Sequence, residues 1–512
     1  MTVARTHAVA LLGLTGSIVE VEADLSAQLP GFSIIGLPDA ALGEARERVR
    51  AAAVNAGCPL PQRKLTVNLS PAALPKHGSG FDLAIAVACL AAAGEVSVES
   101  VARVVHLGEL GLDGRLRPID GILPAVLAAV RAGHRTVMVP RANADEAGLV
   151  PDVTIIGVVS LLDAAIHHGG RFDAREVDAV ASVRTEHQGM AEASGDLADV
   201  AGNADAIDAL LAAAAGGHHL SMIGPPGAGK TMLASRLPGI LPDLDADAAL
   251  EVSCLRSLSG QQVGSGLSFR PPFEAPHHTA TAAAMVGGGS RLIRPGAAAR
   301  ASHGVLFLDE APEFPAAVLD VLRQPLESGT ISIHRANAVA SFPARFQLVI
   351  AANPCPCGLD GTAECTCPPN TRRRYLARIS GPLLDRIDLQ LKVPRLSAAH
   401  LRGASDRPGM TSAEARAKVA EARATAAERL RGTPWRTNAQ MPGPWLRGAG
   451  RLHPGGHATA ALDRSLERGG ITMRGYDRVL KTAWTLADLA GAARPDAGHI
   501  GNALFFRQGF GR

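Results

Sequence analysis

Aromatic side chains make up only 3% of the 512 residues, and this scarcity sets a first boundary on function. Stacking of bases on aromatic faces cannot be a binding device spread over the surface. A dominant charge is missing as well. The 51 basic and 48 acidic residues leave a formal charge of +3, too small for a global field that would hold a polyanion. Any nucleic-acid contact must then come from local patches or a pore. Long apolar runs are absent too: stretches such as Leu83–Ala93 fall short of the ~18 residues that suggest a membrane span. No membrane partner is expected. Arg5 followed by Ala8–Leu14 imitates a weak signal peptide, but it runs on into Ile18-Val19-Glu20-Val21-Glu22, an alternating strand pattern, with no clear cleavage site. Cysteine is sparse. Seven in a chain this long are not a disulfide framework, and Cys58, Cys89 and Cys254 stand singly, as small buried hydrophobes do. What is present is a 47% hydrophobic, 19% charged chain with ample core. Its length allows about three domains of roughly 150 residues each.

Against this plain background, one string stands out. GPPGAGKT at Gly224–Thr231 fits the template G-x-x-x-x-G-K-[ST]. It follows the apolar run Leu220-Ser221-Met222-Ile223, which reads as a strand, and precedes Thr231-Met232-Leu233-Ala234, which reads as a helix start. Gly224, Pro225, Pro226, Gly227, Ala228 and Gly229 would form a phosphate-cradling loop, because bare backbone lets several N–H groups converge on phosphate oxygens. Lys230 would neutralise the β- and γ-phosphates, and the Thr231 hydroxyl would ligate Mg²⁺. VLFLDE at Val305–Glu310 is a buried strand that ends in two carboxylates. Asp309 would hold the metal shell and Glu310 would polarise the attacking water. The pair predicts hydrolysis of a nucleoside triphosphate, ATP, and hence a cytoplasmic location. A further apolar run, Leu348–Ala352, ends at Asn353, where an amide would orient that water. Arg386 in SGPLLDRIDL and Arg474 in TMRGYDR suit a site completed partly by a neighbouring subunit, one as a finger on the γ-phosphate and one as a lid sensor. Each taken alone also suits a surface ion pair.

The rest of the chain alternates in type. Residues 1–170 mix short β runs with alanine-rich helical runs (Leu42–Ala56, Leu83–Ala93, Leu123–Ala132) and read as one α/β domain. Residues 171–200 read as a polar linker, 201–395 as a parallel-sheet nucleotide domain, and 396–512 as helical. Cys355, Cys357, Cys365 and Cys367 fall within thirteen positions beginning two residues after Asn353. Four thiolates so close suit tetrahedral Zn²⁺ better than disulfides, although C-x-C is tighter than the usual spacing and a reduced, metal-free loop stays open. The pairs His218-His219 and His277-His278 offer no such ligand set and read as structural or pore-lining.

The ordered segments Ala213–Ala234, APHHTATAAAMVGGG, HGVLFLDEAPEF, NPCPCG and SGPLLDRIDL resemble the magnesium-chelatase-like AAA+ ATPases of the YifB/ComM type. The resemblance spans essentially the whole chain. It implies an α/β Lon-protease-like N-terminal domain, an AAA+ P-loop core and a C-terminal helical lid. It also implies a nucleotide-dependent homo-hexameric ring, with Arg386 reaching the next subunit's nucleotide and Arg474 acting from the lid. Phe269–Pro295 and the hairpin Thr330–Phe346, with His334, Arg335 and Arg345, would face a central pore. The activity implied is a DNA helicase that drives branch migration in recombination of incoming DNA, on branched or single-stranded DNA. A chelatase-type remodeller of a protein partner is the rival class. Lys76–Gly94 and Gly114–Pro140 are similar to Lon, whose serine and lysine positions fall on Gly80 and Leu123, with Ser79 and Lys76 nearby. An activated nucleophile is therefore missing, and ATP-dependent proteolysis is disfavoured. The stretch PGAAARASHG and the pair Ile207-Asp208 depart from the family pattern without touching the nucleotide chemistry.

Overall fold

The computed structural model describes residues 3–36, 40–72, 74, 76, 79–181, 195–289, 293–335, 338–359, 364–395, 409–448 and 452–507. Part of the expected linker, 182–194, and the start of the expected lid, 396–408, lie outside the described residues.

A seven-stranded mixed sheet organises the N-terminal region, in the order Gly31–Ile35, Lys64–Ser70, Thr15–Ser26, Ala4–Leu12, Val105–His106, Thr136–Pro140, Thr154–Val158. The segment that imitates a signal peptide is the central strand Ala4–Leu12. It pairs antiparallel with Thr15–Ser26 from Ala4↔Ala23 to Leu12↔Thr15 around Gly13, whose φ of +64° the tight turn requires. Its alternating residues serve two layers. Ala4, Ala8 and Ala10 join the core of helix Asp82–Ala92, while Val9 joins that of helix Ile122–Arg131. All eleven residues of Asp82–Ala92 are buried, which explains its continuous apolar run.

Five parallel strands form the second sheet, in the order Phe273–Glu274, Val305–Leu308, Gln347–Ala352, Leu220–Ile223, Leu389–Lys392. The register matters for function. Ile223 lies opposite Ala352, and Leu308 lies opposite Ile350. The residues just beyond these strands, Gly224, Asp309 and Asn353, therefore emerge along one edge of the sheet, where parallel α/β sheets bind ligands. Phe273–Glu274 corrects the expectation for Phe269–Pro295: part of that segment is an edge strand with Phe273 in the core, so it is not wholly a pore insert. The hairpin strands Thr330–Arg335 and Ala338–Pro343 do pair. Ile331, Ala340 and Phe342 bury its base among Leu306 and Leu348, while His334, Arg335 and Arg345 are exposed.

The two sheets are docked. Leu11, Leu12 and Leu14 pack on the core cluster that holds the hairpin base. Helix Ile122–Arg131 packs on helix Ala246–Leu258, and the Leu123 amide donates to Ser257 Oγ at 3.3 Å. Arg294 pairs with Asp120 at 2.7 Å. The C-terminal helices are Ser412–Arg429, Gly456–Glu467, Met473–Leu489 and Ala497–Phe505, the last of which the sequence pattern does not reveal. Ser412–Arg429 packs on Ala204–Gly216 and Lys230–Ile240, with the Arg423 guanidinium on the Ala214 carbonyl at 2.6 and 2.9 Å. The later helices share a core around Tyr476, Val479, Leu480 and Trp484. Among the described residues, no helix is long and apolar enough to cross a membrane.

Candidate functional site

Strand Leu220–Ile223 delivers the loop Gly224–Gly229, and helix Lys230–Ile240 follows at once. Gly227 and Gly229 hold φ of +75° and +85°, a left-handed backbone that glycine adopts without strain. A side chain at Gly224 would put a Cβ 2.2 Å from the Val393 carbonyl oxygen. The loop thus closes on the helix N-terminus, where free N–H groups and the macrodipole favour phosphate.

The structure brings five of the sequence-predicted side chains together. Lys230 Nζ donates to the Gly224 carbonyl (2.6 Å), the Pro225 carbonyl (3.0 Å) and Asn353 Oδ1 (3.1 Å). Burial lowers its pKa, while Asp309 and Glu310 act to raise it. Thr231 Oγ1 donates to Asp309 Oδ2 at 2.7 Å. That hydroxyl–carboxylate pair is the oxygen donor set Mg²⁺ takes in triphosphate sites, so these residues fit the ion. Asp309 Oδ1 accepts the Glu310 amide at 2.9 Å, and Glu310 holds a left-handed φ of 49°. A non-glycine residue there costs on the order of 1–3 kcal/mol. The Glu310 side chain is exposed at the sheet edge.

Sequence reasoning missed one neighbour. His278, read as structural or pore-lining, places Nδ1 3.8 Å from Glu310 Oε2 and lies against His277, the ring centroids 4.0 Å apart and the planes tilted by 35°. No local spacing signals this contact, because 32 positions separate the two residues in the sequence. The other pair is structural: His218 Nε2 meets Thr485 Oγ1 at 2.8 Å, and His219 Nδ1 accepts the Leu348 amide at 3.0 Å.

Arg386 and Arg474 are not with the phosphate loop. Both line a cavity of about 270 Å³ together with Glu327, Asp388, Arg478 and Lys481, and none of Lys230, Thr231, Asp309, Glu310 or Asn353 lines it. Arg386 pairs with Glu327, and Arg478 pairs with buried Asp388 while donating to the Arg386 carbonyl at 3.0 Å. Arg474 is exposed in the first turn of helix Met473–Leu489.

The four clustered cysteines converge, their sulfurs all within 4.8 Å of one another, and Cys355 is fully buried. Gly358, at φ +72°, closes their turn against Pro226 of the phosphate loop. In the N-terminal region, Lys76 and Ser79, near the position Gly80 that the Lon serine would take, bond to different partners. Lys76, buried, donates to the carbonyls of Pro71 (2.6 Å), Leu74 (3.2 Å) and Gly36 (3.3 Å), while Ser79 bonds Glu109.

Residues 196–401 match the family described as magnesium chelatase, subunit ChlI; residues 21–143 match subunit ChlI of Mg-chelatase, and 409–507 match its C-terminal part. An uncharacterized protein of Mycobacterium tuberculosis is 48% identical over 99% of both chains. The competence protein ComM of Haemophilus influenzae is 41% identical over 99% of this chain and 98% of its own. A Lon protease of Azorhizobium caulinodans is 31% identical over 25% of this chain and 15% of its own. The family suggests ATPase activity with ATP and Mg²⁺, and an oligomeric assembly. The chain belongs to the magnesium-chelatase-like AAA+ proteins of the YifB/ComM type.

Proposed function

We propose that this chain is an ATP-hydrolysing ring motor of the ComM type that drives branch migration of DNA. The observation that carries the ATPase reading is the continuous contact path Asn353–Lys230 and Thr231–Asp309–Glu310 at one sheet edge. In the proposed reaction, Glu310 accepts a proton from water as its oxygen attacks the γ-phosphorus. The bond to the β-phosphate oxygen breaks, and ADP and inorganic phosphate leave. Lys230 and the loop amides would hold the phosphates, Asn353 would hold the water and Lys230 in line, and Thr231 and Asp309 would hold Mg²⁺, whose charge would offset that of the phosphates.

The separate cavity supports an intersubunit role for Arg386, which would reach the nucleotide of an adjoining subunit in a hexamer, with Arg474 acting from the lid. The choice of DNA rests on the resemblance to ComM, with exposed His334, Arg335 and Arg345 as the basic groups available on the hairpin. Zn²⁺ is the proposed occupant of Cys355, Cys357, Cys365 and Cys367. We read the N-terminal α/β region as a non-catalytic scaffold. Lys76 is committed to three carbonyls, and Leu123, at the position of the Lon base, is buried with its amide on Ser257.

The test is a labelled four-way or three-strand DNA junction with ATP and Mg²⁺. Strand exchange is expected with the native chain and is lost in Lys230→Ala. Binding should weaken steeply with added salt, as phosphate contacts do. If DNA neither stimulates ATP hydrolysis nor is exchanged, the motor acts on a protein partner instead.

A further inference from the structure

The four-cysteine loop touches the ATPase machinery at a point that spacing alone does not show. The sulfur–sulfur distances are 3.3 Å for Cys355–Cys357, 3.6 Å for Cys357–Cys365 and 3.8 Å for Cys355–Cys365. A tetrahedral zinc with bonds of about 2.3 Å sets its sulfurs about 3.8 Å apart, so these three sulfurs already stand near the corners of such a site, with the Cys367 sulfur within 4.8 Å of each. All four are free cysteines. Arg372 donates to the Cys367 carbonyl at 3.0 Å and lies 3.6 Å from the Cys365 sulfur, a cation placed to offset surplus thiolate charge.

The turn Cys355–Gly358 is closed by the Gly358 amide on the Cys355 carbonyl at 3.0 Å. A Cβ on Gly358 would stand 2.6 Å from Cδ and Cγ of Pro226, so the bare face of this glycine seats the proline ring of the phosphate loop. Two residues upstream of Cys355, Asn353 accepts from Lys230 at the far end of the same loop. The cysteine turn and the strand that carries it therefore brace the loop at two points, Pro226 within it and Lys230 just beyond it.

We propose that Cys355, Cys357, Cys365 and Cys367 hold one Zn²⁺ that fixes this turn as a backstop for Pro226, so that nucleotide binding depends on metal occupancy. The inference rests on the zinc reading above and adds its mechanical consequence. Zinc forms no part of the hydrolysis itself. It holds the wall against which the loop keeps its phosphate-binding shape.

Full-length protein purified without chelators is expected to contain about one zinc per chain, and cobalt in its place should show tetrathiolate absorption. Chelation under reducing conditions should weaken binding of a fluorescent ATP analogue by at least about tenfold. Added Zn²⁺ should restore it. Gly358→Ala gives a second reading that keeps all four cysteines while crowding Pro226: in the protein that still holds zinc, nucleotide affinity falls. Protein without stoichiometric zinc overturns the site. Zinc bound, with unchanged affinity in both the stripped protein and Gly358→Ala, overturns the coupling. If the zinc-loaded native chain binds no nucleotide, the ATPase reading and the coupling fall together, while the metal count still decides the site.

Discussion

Glu310 and Gly224 show how much of the site is written in single residues. Gly224 is glycine because the Val393 carbonyl occupies the space a Cβ would need. Gly224→Ala should therefore push the loop off its strand and weaken ATP-analogue binding by about tenfold or more, with helix content by circular dichroism unchanged. Glu310→Gln keeps size and left-handed backbone but removes the base. Turnover should drop by a factor on the order of 10²–10⁴ in a phosphate-release assay while nucleotide affinity holds. Equal loss of affinity would remove Glu310 from the proton-transfer role. The phosphate-loop residues were legible in the sequence because their backbone demands restrict residue type at fixed spacing. The nearness of His278 to Glu310 was not, since it depends on how the segment after Phe273–Glu274 returns to the sheet edge.

At the level of elements, apolar alternation located several of the longer strands and helices to within a few residues, as with the expected Leu83–Ala93 and the observed Asp82–Ala92. It does not single out Ala4–Leu12 as a strand, because Ala8, Val9 and Ala10 are buried in succession and the run toward Leu12 lacks a polar alternate. That strand also anchors a buried polar chain. Thr6 Oγ1 meets His106 Nδ1 at 2.7 Å, His106 Nε2 meets His168 Nε2 at 2.9 Å, and His168 Nδ1 meets Ser100 Oγ at 2.8 Å. Burial, then neighbouring His167, lowers the His168 pKa to about 4, and burial with His168 beside it holds His106 well below the usual range. The unfolded chain takes up these protons near pH 6.5 and the folded chain does not, so stability is fully present above about 6.5 and is lost as pH falls toward about 4. Denaturant midpoints measured across that window should decline. His168→Gln, which keeps a hydrogen-bonding group but cannot charge, should flatten the slope by up to about 1.4 kcal/mol per pH unit. An unaltered slope would show that the histidines already share protons in the folded state.

For the whole molecule, the arginine cavity makes the strongest statement. Arg386 and Arg474 lie far apart in sequence yet line one cavity that excludes the phosphate-loop side chains. This grouping was not legible, because it arises from helix Met473–Leu489 packing over the segment that carries Arg386. If Arg386 serves an adjoining subunit, Lys230→Ala and Arg386→Ala should each be inactive alone, and mixing them should recover ATP hydrolysis. Some interfaces then pair an intact phosphate loop with an intact arginine. A mixture no more active than its parts would place the arginine on its own chain's nucleotide. The docking of the two sheets through Leu123, Ser257 and the Asp120–Arg294 pair was equally hidden, since an apolar helix face does not name its partner. The parallel register carries a last consequence, for tolerated chain length. Ile223, Leu308 and Ala352 end their strands along one edge, and a one-residue insertion within any of them would turn the next side chain to the opposite face. Segments between the strands can lengthen without moving those tips, whereas the strands themselves are fixed in length by the chemistry at their ends.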